Sequence, residues 1–217
     1  MRSSLDDLKD KVLAAALPRV EFHGWSLKLL NEAGAEAGAD EAQLAALYPR
    51  GPADLVVQYS SDCDRQMSER LAALDLSKLK IRERAIVAVR TRIDVANQYK
   101  MAAKRAAAFL TFPLNAADGV QCLARTSDAM WVAMGDTSAD FSWYTRRATL
   151  GAVVTACMVY WFSDESEDLA DTQAFIERRI ADVMQFEKVK AQASKIVSGL
   201  PNPWVLAGRL RYPGGRG

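Results

Sequence analysis

The residues best equipped for chemistry are gathered between Gly135 and Arg147, in the run Gly-Asp-Thr-Ser-Ala-Asp-Phe-Ser-Trp-Tyr-Thr-Arg-Arg. Asp136 and Asp140 could imitate an acid/base pair. A simpler explanation is that Asp140 caps a helix N-terminus and Asp136 orders the preceding loop. Trp143 and Tyr144 are adjacent, so on a helix they point about 100° apart and cannot share one narrow core stripe. One of them is expected at a surface or in a pocket mouth, unless both are simply packed.

Other catalytic patterns are weak. His23 is the only histidine and has no second one to share a metal. The Glu-x-x-His repeats of a helical di-iron oxygenase are absent, and Gly34 and Gly38 lie among alanines and acids with no preceding strand. Cys63, Cys122 and Cys157 are odd in number and in no metal-ligand spacing, and read as thiols of a reducing compartment. No catalytic residue, metal ligand or cofactor is assigned, and the chain is not expected to be an enzyme.

The elements that must position the run are helices. Asp6–Leu17 carries Leu8, Val12, Leu13 and Ala16 on one face, Ser26 can cap a second helix, and Ala39 or Asp40 opens a third to Leu47. Tyr48-Pro49-Arg50-Gly51-Pro52 breaks the pattern before a fourth helix from Ala53. Leu79–Leu110 reads as one helix with Ile86, Val89, Ile93 and Ala96 on its apolar stripe and Arg82, Arg90, Arg92 and Lys100 on other faces. Asn115 is the expected cap of a helix to Met134. Asp140 opens an apolar helix to Phe162, an acidic loop spans Ser163–Asp168, and a last helix runs from Leu169 to Val197.

At 217 residues the chain buries about 70% of its unfolded surface, and its formal charge of +1 predicts no overall attraction to nucleic acid. The uncharged run Ala148–Phe162 is 15 residues long, which suits a buried helix better than a membrane span. The large apolar residues of the later helices include several methionines, whose flexible side chains either pack on one another or adapt around an elongated guest.

The run from Gly135 to Arg147 resembles the signature of the COQ9 family, accessory proteins of ubiquinone biosynthesis. Leu123–Trp131 and Asp171–Ile180 look like the family's flanking helices, and the likeness spans residues 115–184 and extends more weakly toward the N-terminus. Three short helices, a Tyr-Pro break and a longer helix resemble the start of TetR-type regulators. These resemblances imply an all-α, TetR-like fold. Residues 1–52 would form a degenerate helix-turn-helix, 53–197 a helical lipid-binding and dimerisation domain, and 198–217 a basic tail.

The implied function is to bind a polyprenyl lipid or quinone intermediate and present it to a di-iron hydroxylase. The expected lipid-contacting residues are Met101, Phe109, Trp131, Met134, Val154, Met158 and Trp161. Carried onto matching positions, the partner surface comprises Met130, Trp131, Asp140, Trp143 and Tyr144, ordered by Asp136 and Arg147. A homodimer is expected through Thr172–Val197. In the tail, Trp204, Leu206, Arg209, Leu210 and Arg211 suit a headgroup boundary. The early acids Asp6 and Asp7 argue against a transit peptide, so the expected location is the bacterial cytoplasm, peripheral on the inner membrane.

The alternative is a TetR-like ligand-responsive regulator. It is opposed by residues 31–47, which hold Glu32, Glu36, Asp40 and Glu41 and neither Lys nor Arg, the wrong sign for phosphate contact. No nucleic-acid partner is expected.

Overall fold

The structure, a computed structural model, describes the backbone of residues 4–135 and 142–198 and the side chains of 4–135 and 145–185. Every regular element among the described residues is helical. Helix α1 (Ser4–Ala16) buries Val12, Leu13 and Ala16, and Pro18 then opens a 3₁₀ turn into the single-turn α2 (Val20–His23). The short helix ends at Gly24, whose φ of 61° is left-handed and suits glycine. Ser26 caps α3 (Leu27–Ala37), its Oγ accepting from the Leu29 N–H at 3.2 Å.

Asp40 opens α4 (Glu41–Leu47) with a capping box. Its carboxylate accepts from the Gln43 N–H at 2.7 Å while Gln43 Oε1 accepts from the Asp40 N–H at 3.0 Å. Helices α3 and α4 meet at Gly34, where an added Cβ would lie 2.8 Å from Leu44. After the Tyr48–Gly51 break comes α5 (Pro52–Ala72).

The stretch expected to form one helix over Leu79–Leu110 is two, α6 (Ile81–Asn97) and α7 (Lys100–Thr111). Tyr99 breaks the line at φ −129°, ψ 57°. No Pro or Gly marks this corner; tertiary bonds pin it. Asn97 Oδ1 accepts from Trp161 Nε1 at 3.1 Å, and Lys100 Nζ donates to the Asp164 carbonyl at 2.6 Å. Arg92, expected on an outer face, is instead buried, because α6 is covered by α5 and α8 as well as by α10.

A 3₁₀ turn at Pro113–Asn115 runs into α8 (Ala116–Ala133). Asn115 makes no side-chain cap for α8; its Nδ2 donates back to the Phe109 carbonyl at 3.0 Å and closes the end of α7. Helices α9 (Ser142–Trp161) and α10 (Ala170–Ser198) follow. Between them, buried Asp164 accepts from Ser166 N and Oγ at 2.8 and 2.6 Å and from the Thr172 N–H at 2.8 Å. Burial works against that carboxylate, yet the hydrogen bonds from Ser166 and Thr172 hold it well below the usual carboxylate range.

The core is continuous from Val12 on α1 to Ile180 on α10. The N-terminal helices are clipped to α7 by Trp25 Nε1, which donates to the Ala102 carbonyl at 3.2 Å, and by Arg105 Nη2, which donates to the Glu21 carbonyl at 2.8 Å.

An apolar cavity with a polar end as the candidate functional site

A cavity of about 430 Å³ lies among α5, α6, α7, α8 and α9. Its walls are small and apolar. Helix α7 contributes Ala103, Ala106, Ala107 and Leu110, α8 contributes Ala116, Gly119, Val120 and Leu123, and α9 contributes Val154, Met158 and Val159. The α7 and α8 backbones come together at Gly119, where a Cβ would stand 2.9 Å from the Leu110 carbonyl oxygen. Any larger residue would push the two helices apart.

The two ends of the cavity differ. Thr111, Ala116, Val120 and Val159 are exposed, and Phe112 and Leu114, in the turn joining Thr111 to Ala116, are 68% and 94% exposed. This rim is an apolar surface of a kind that soluble proteins usually cover or use. At the other end Tyr59, Arg92, Cys122 and Thr126 are all buried.

That buried end is built on Asp64. Its Oδ1 accepts from Arg92 Nε at 2.9 Å, and its two oxygens lie 2.8 and 3.0 Å from Thr126 Oγ1. Half-exposed Arg125 brings its Nε to 3.7 Å from Asp64 Oδ2. A buried carboxylate needs this paired and hydrogen-bonded setting. Three donors of this cluster make no hydrogen bond: Arg125 Nε, which faces Asp64 only as an ion pair, and Arg92 Nη1 and Tyr59 Oη, whose residues line the cavity. The Cys63 thiol, one turn on from Tyr59, is a weak acceptor close to the phenol, but makes no hydrogen bond of ordinary geometry with it. Burial pushes the Tyr59 phenol far above its ordinary value, so it stays a neutral O–H donor.

A COQ9 family profile matches residues 116–187, which contain α8, α9 and the first part of α10. Over 91% of its length the chain is 30% identical to human "Ubiquinone biosynthesis protein COQ9, mitochondrial", of which it spans 65%. The chain is thus similar to COQ9 proteins over nearly its whole length, and spans just under two thirds of theirs. A Drosophila melanogaster COQ9 protein, also named as a mitochondrial ubiquinone biosynthesis protein, is 28% identical over 88% of the chain. In fold, the chain superposes on the crystal structure of a TetR transcriptional regulator from Nitrosomonas europaea with a TM-score of 0.64. That match covers 81% of this chain and 97% of the regulator at 17% identity. The all-α, TetR-like architecture expected from the sequence is thus the one observed. The expected bacterial cytoplasmic location is corrected: the COQ9 relatives are named as mitochondrial proteins, and the acids near residue 1 say nothing of what precedes it.

Of the residues expected to contact lipid, Val154 and Met158 line the cavity. Met101 is 39% exposed on another face of α7. Phe109, Trp131, Met134 and Trp161 pack in or against the core instead of on the cavity wall, because their bulk fills space. Trp161 is fully buried and bonded to Asn97.

Of the partner-surface residues, Met130 is fully buried, a correction to its expected surface role: it lies on the inward face of α8. Trp131 is half-buried, with Arg146 over its ring at 5.7 Å. Arg147 is buried and donates from Nε to Asp128 Oδ1 at 2.7 Å, tying α9 to α8. Asp136 and Asp140, the side chains of Trp143 and Tyr144, and Trp204, Leu206, Arg209, Leu210 and Arg211 lie outside what the structure describes.

Sequence reasoning missed Tyr59, Asp64, Arg92 and Thr126. Their signal was positional: Asp64 falls between inward-facing Cys63 and Met67, and Arg92 between Val89 and Ile93. Charges within an apolar stripe mark a buried pair or a site.

Proposed function

We propose that this chain acts in ubiquinone biosynthesis as a lipid-binding accessory protein. It holds a polyprenyl quinone intermediate in the cavity and delivers it to a di-iron hydroxylase. Similarity to proteins named for ubiquinone biosynthesis supports the biosynthetic role, and the observation that carries the lipid role is the apolar cavity itself. Its 430 Å³ is in the range of small-molecule sites and accepts a ring with the start of an isoprenoid tail. Each CH₂ resting on these walls recovers about 0.8 kcal/mol of the cost of leaving an apolar phase. The remainder of a long tail runs out over the apolar rim.

We assign the hydroxylase-facing surface to the signature run, supported by the Arg147–Asp128 bond that fixes α9 on α8. The dimer surface is assigned to α10, whose inward face holds Thr172, Ile176 and Ile180 while Glu177 and Asp182 are exposed. Residues 1–52 serve as a degenerate helix-turn-helix, 53–197 as the lipid-binding and dimerisation part, and the basic tail from 198 as a contact with membrane. We assign the chain no chemistry of its own. The regulator reading is opposed by α4, whose exposed positions are Glu41, Ala42, Gln43, Ala45 and Ala46.

Mass spectrometry of lipids extracted from the purified protein tests the lipid role. Wild type should carry a polyprenyl quinone or precursor, and Ala106→Phe, which fills the cavity, should lose it while remaining folded. Equal lipid content in the two would sink the cavity assignment. Loss of hydroxylase capture with Trp143→Ala, with lipid content unchanged, tests the partner surface separately.

A further inference from the structure

We infer that the buried end of the cavity is a ring-recognition subsite. Arg92 Nη1 and Tyr59 Oη donate hydrogen bonds to a neutral carbonyl oxygen of the bound lipid's ring, which enters first with its tail toward the rim. This rests on the lipid-carrier reading and adds which end of the lipid is read, and by what.

Three observations carry it. First, the buried end of the otherwise apolar lining presents two buried donors, Arg92 Nη1 with no acceptor and Tyr59 Oη with nothing better than the weak Cys63 thiol. A buried N–H or O–H left unpaired is costly, and such groups in native structures call for an explanation. Second, both donors are held by structure that exists without ligand. Arg92 is fixed by its Nε bond to Asp64, which Thr126 also grips, and the Tyr59 ring stands against Trp25 at 5.4 Å. Donors fixed in advance lose little freedom when an acceptor arrives. Third, charge selects the acceptor. Asp64 already compensates Arg92, and a fatty-acid carboxylate placed there would face a second carboxylate in a dry setting. A ring carbonyl brings an acceptor without a net charge.

With the ring inserted, the redox-active end is shielded in transit and handover requires the ring to leave the cavity. The test is equilibrium dialysis of the full chain against three probes of matched length. These are a geranyl-substituted benzoquinone, a geranyl-substituted benzene and a saturated fatty acid. Wild type should prefer the quinone over the hydrocarbon by about tenfold, equivalent to ~1.4 kcal/mol. Tyr59→Phe should reduce that preference by about three- to tenfold, leave hydrocarbon affinity unchanged, and melt close to wild type without ligand, since the lost hydroxyl has only the weak Cys63 thiol beside it. Arg92→Lys, which keeps a cation beside Asp64 but withdraws Nη1, should reduce the preference as well.

Equal binding of quinone and hydrocarbon by wild type would overturn the subsite and leave the carrier reading standing; the two donors would then be serving water. Preference for the fatty acid would also overturn it, in favour of a carboxylate site. Binding of none of the probes would overturn the carrier reading along with it.

Discussion

Replacing Thr126 with Val probes the Asp64 cluster with almost no change of shape. The hydroxyl proton of Thr126 has three acceptors in reach: the two Asp64 oxygens at 2.8 and 3.0 Å and the Cys122 carbonyl at 3.0 Å. It can serve one of them best, and the carboxylate is the stronger. Valine leaves Asp64 buried with Arg92 Nε at 2.9 Å and Arg125 at 3.7 Å. A hydrogen bond to a charged group contributes about 1.5–3 kcal/mol, and the added methyl returns a few tenths, so the net cost should be ~2 kcal/mol. For a chain of this size that lowers Tm by roughly 4–8 °C.

Urea unfolding followed by circular dichroism measures the loss. A double-mutant cycle with Asp64→Asn assigns it, because the two changes should be non-additive by about 1 kcal/mol or more. A loss under ~0.5 kcal/mol, or additivity within ~0.3–0.5 kcal/mol, would refute the argument that this carboxylate depends on the hydroxyl.

Gly119→Val should separate α7 from α8, costing about 1–3 kcal/mol in thermal unfolding and reducing lipid content, since the same contact shapes the cavity wall. Asp164→Asn should weaken the α9–α10 turn by about 1–2 kcal/mol at neutral pH. Because the folded Asp164 carboxyl lies below its unfolded value of about 3.9, its stabilisation is complete above about pH 4 and fades as pH falls through the folded value. The gap between wild type and variant, read from urea titrations, should therefore close only below about pH 4.

The fold was legible where local chemistry decides. Ser26 and Asp40 cap the helices their side chains announce, and Tyr48–Gly51 breaks the chain as its Pro and Gly predict. The corner at Gln98–Tyr99 was not, because the apolar stripe of α6 carries on into Ala102, Ala103 and Ala106 without a local breaker. Trp161 and Asp164, more than sixty residues away, impose the turn. The cavity was hidden for a related reason. Large residues such as Trp131, Met134 and Trp161 suggest a pocket to the eye but fill space, whereas the observed opening is made by what Ala103, Ala106, Ala107 and Gly119 leave vacant.

The placement of two indoles has an optical consequence. Trp25 lies 5.4 Å from the ring of Tyr59, and Trp161 lies 5.1 Å from that of Phe162, and both of those neighbours form the cavity lining. A quinone seated there would be within collisional or transfer range of two emitters on separate parts of the wall. Loading should dim the intrinsic emission, and Trp25→Phe and Trp161→Phe should each remove a distinct share of the quenched signal. If the proposed quinone binds there, emission from the protein's own indoles should report, without any added label, whether the cavity is full.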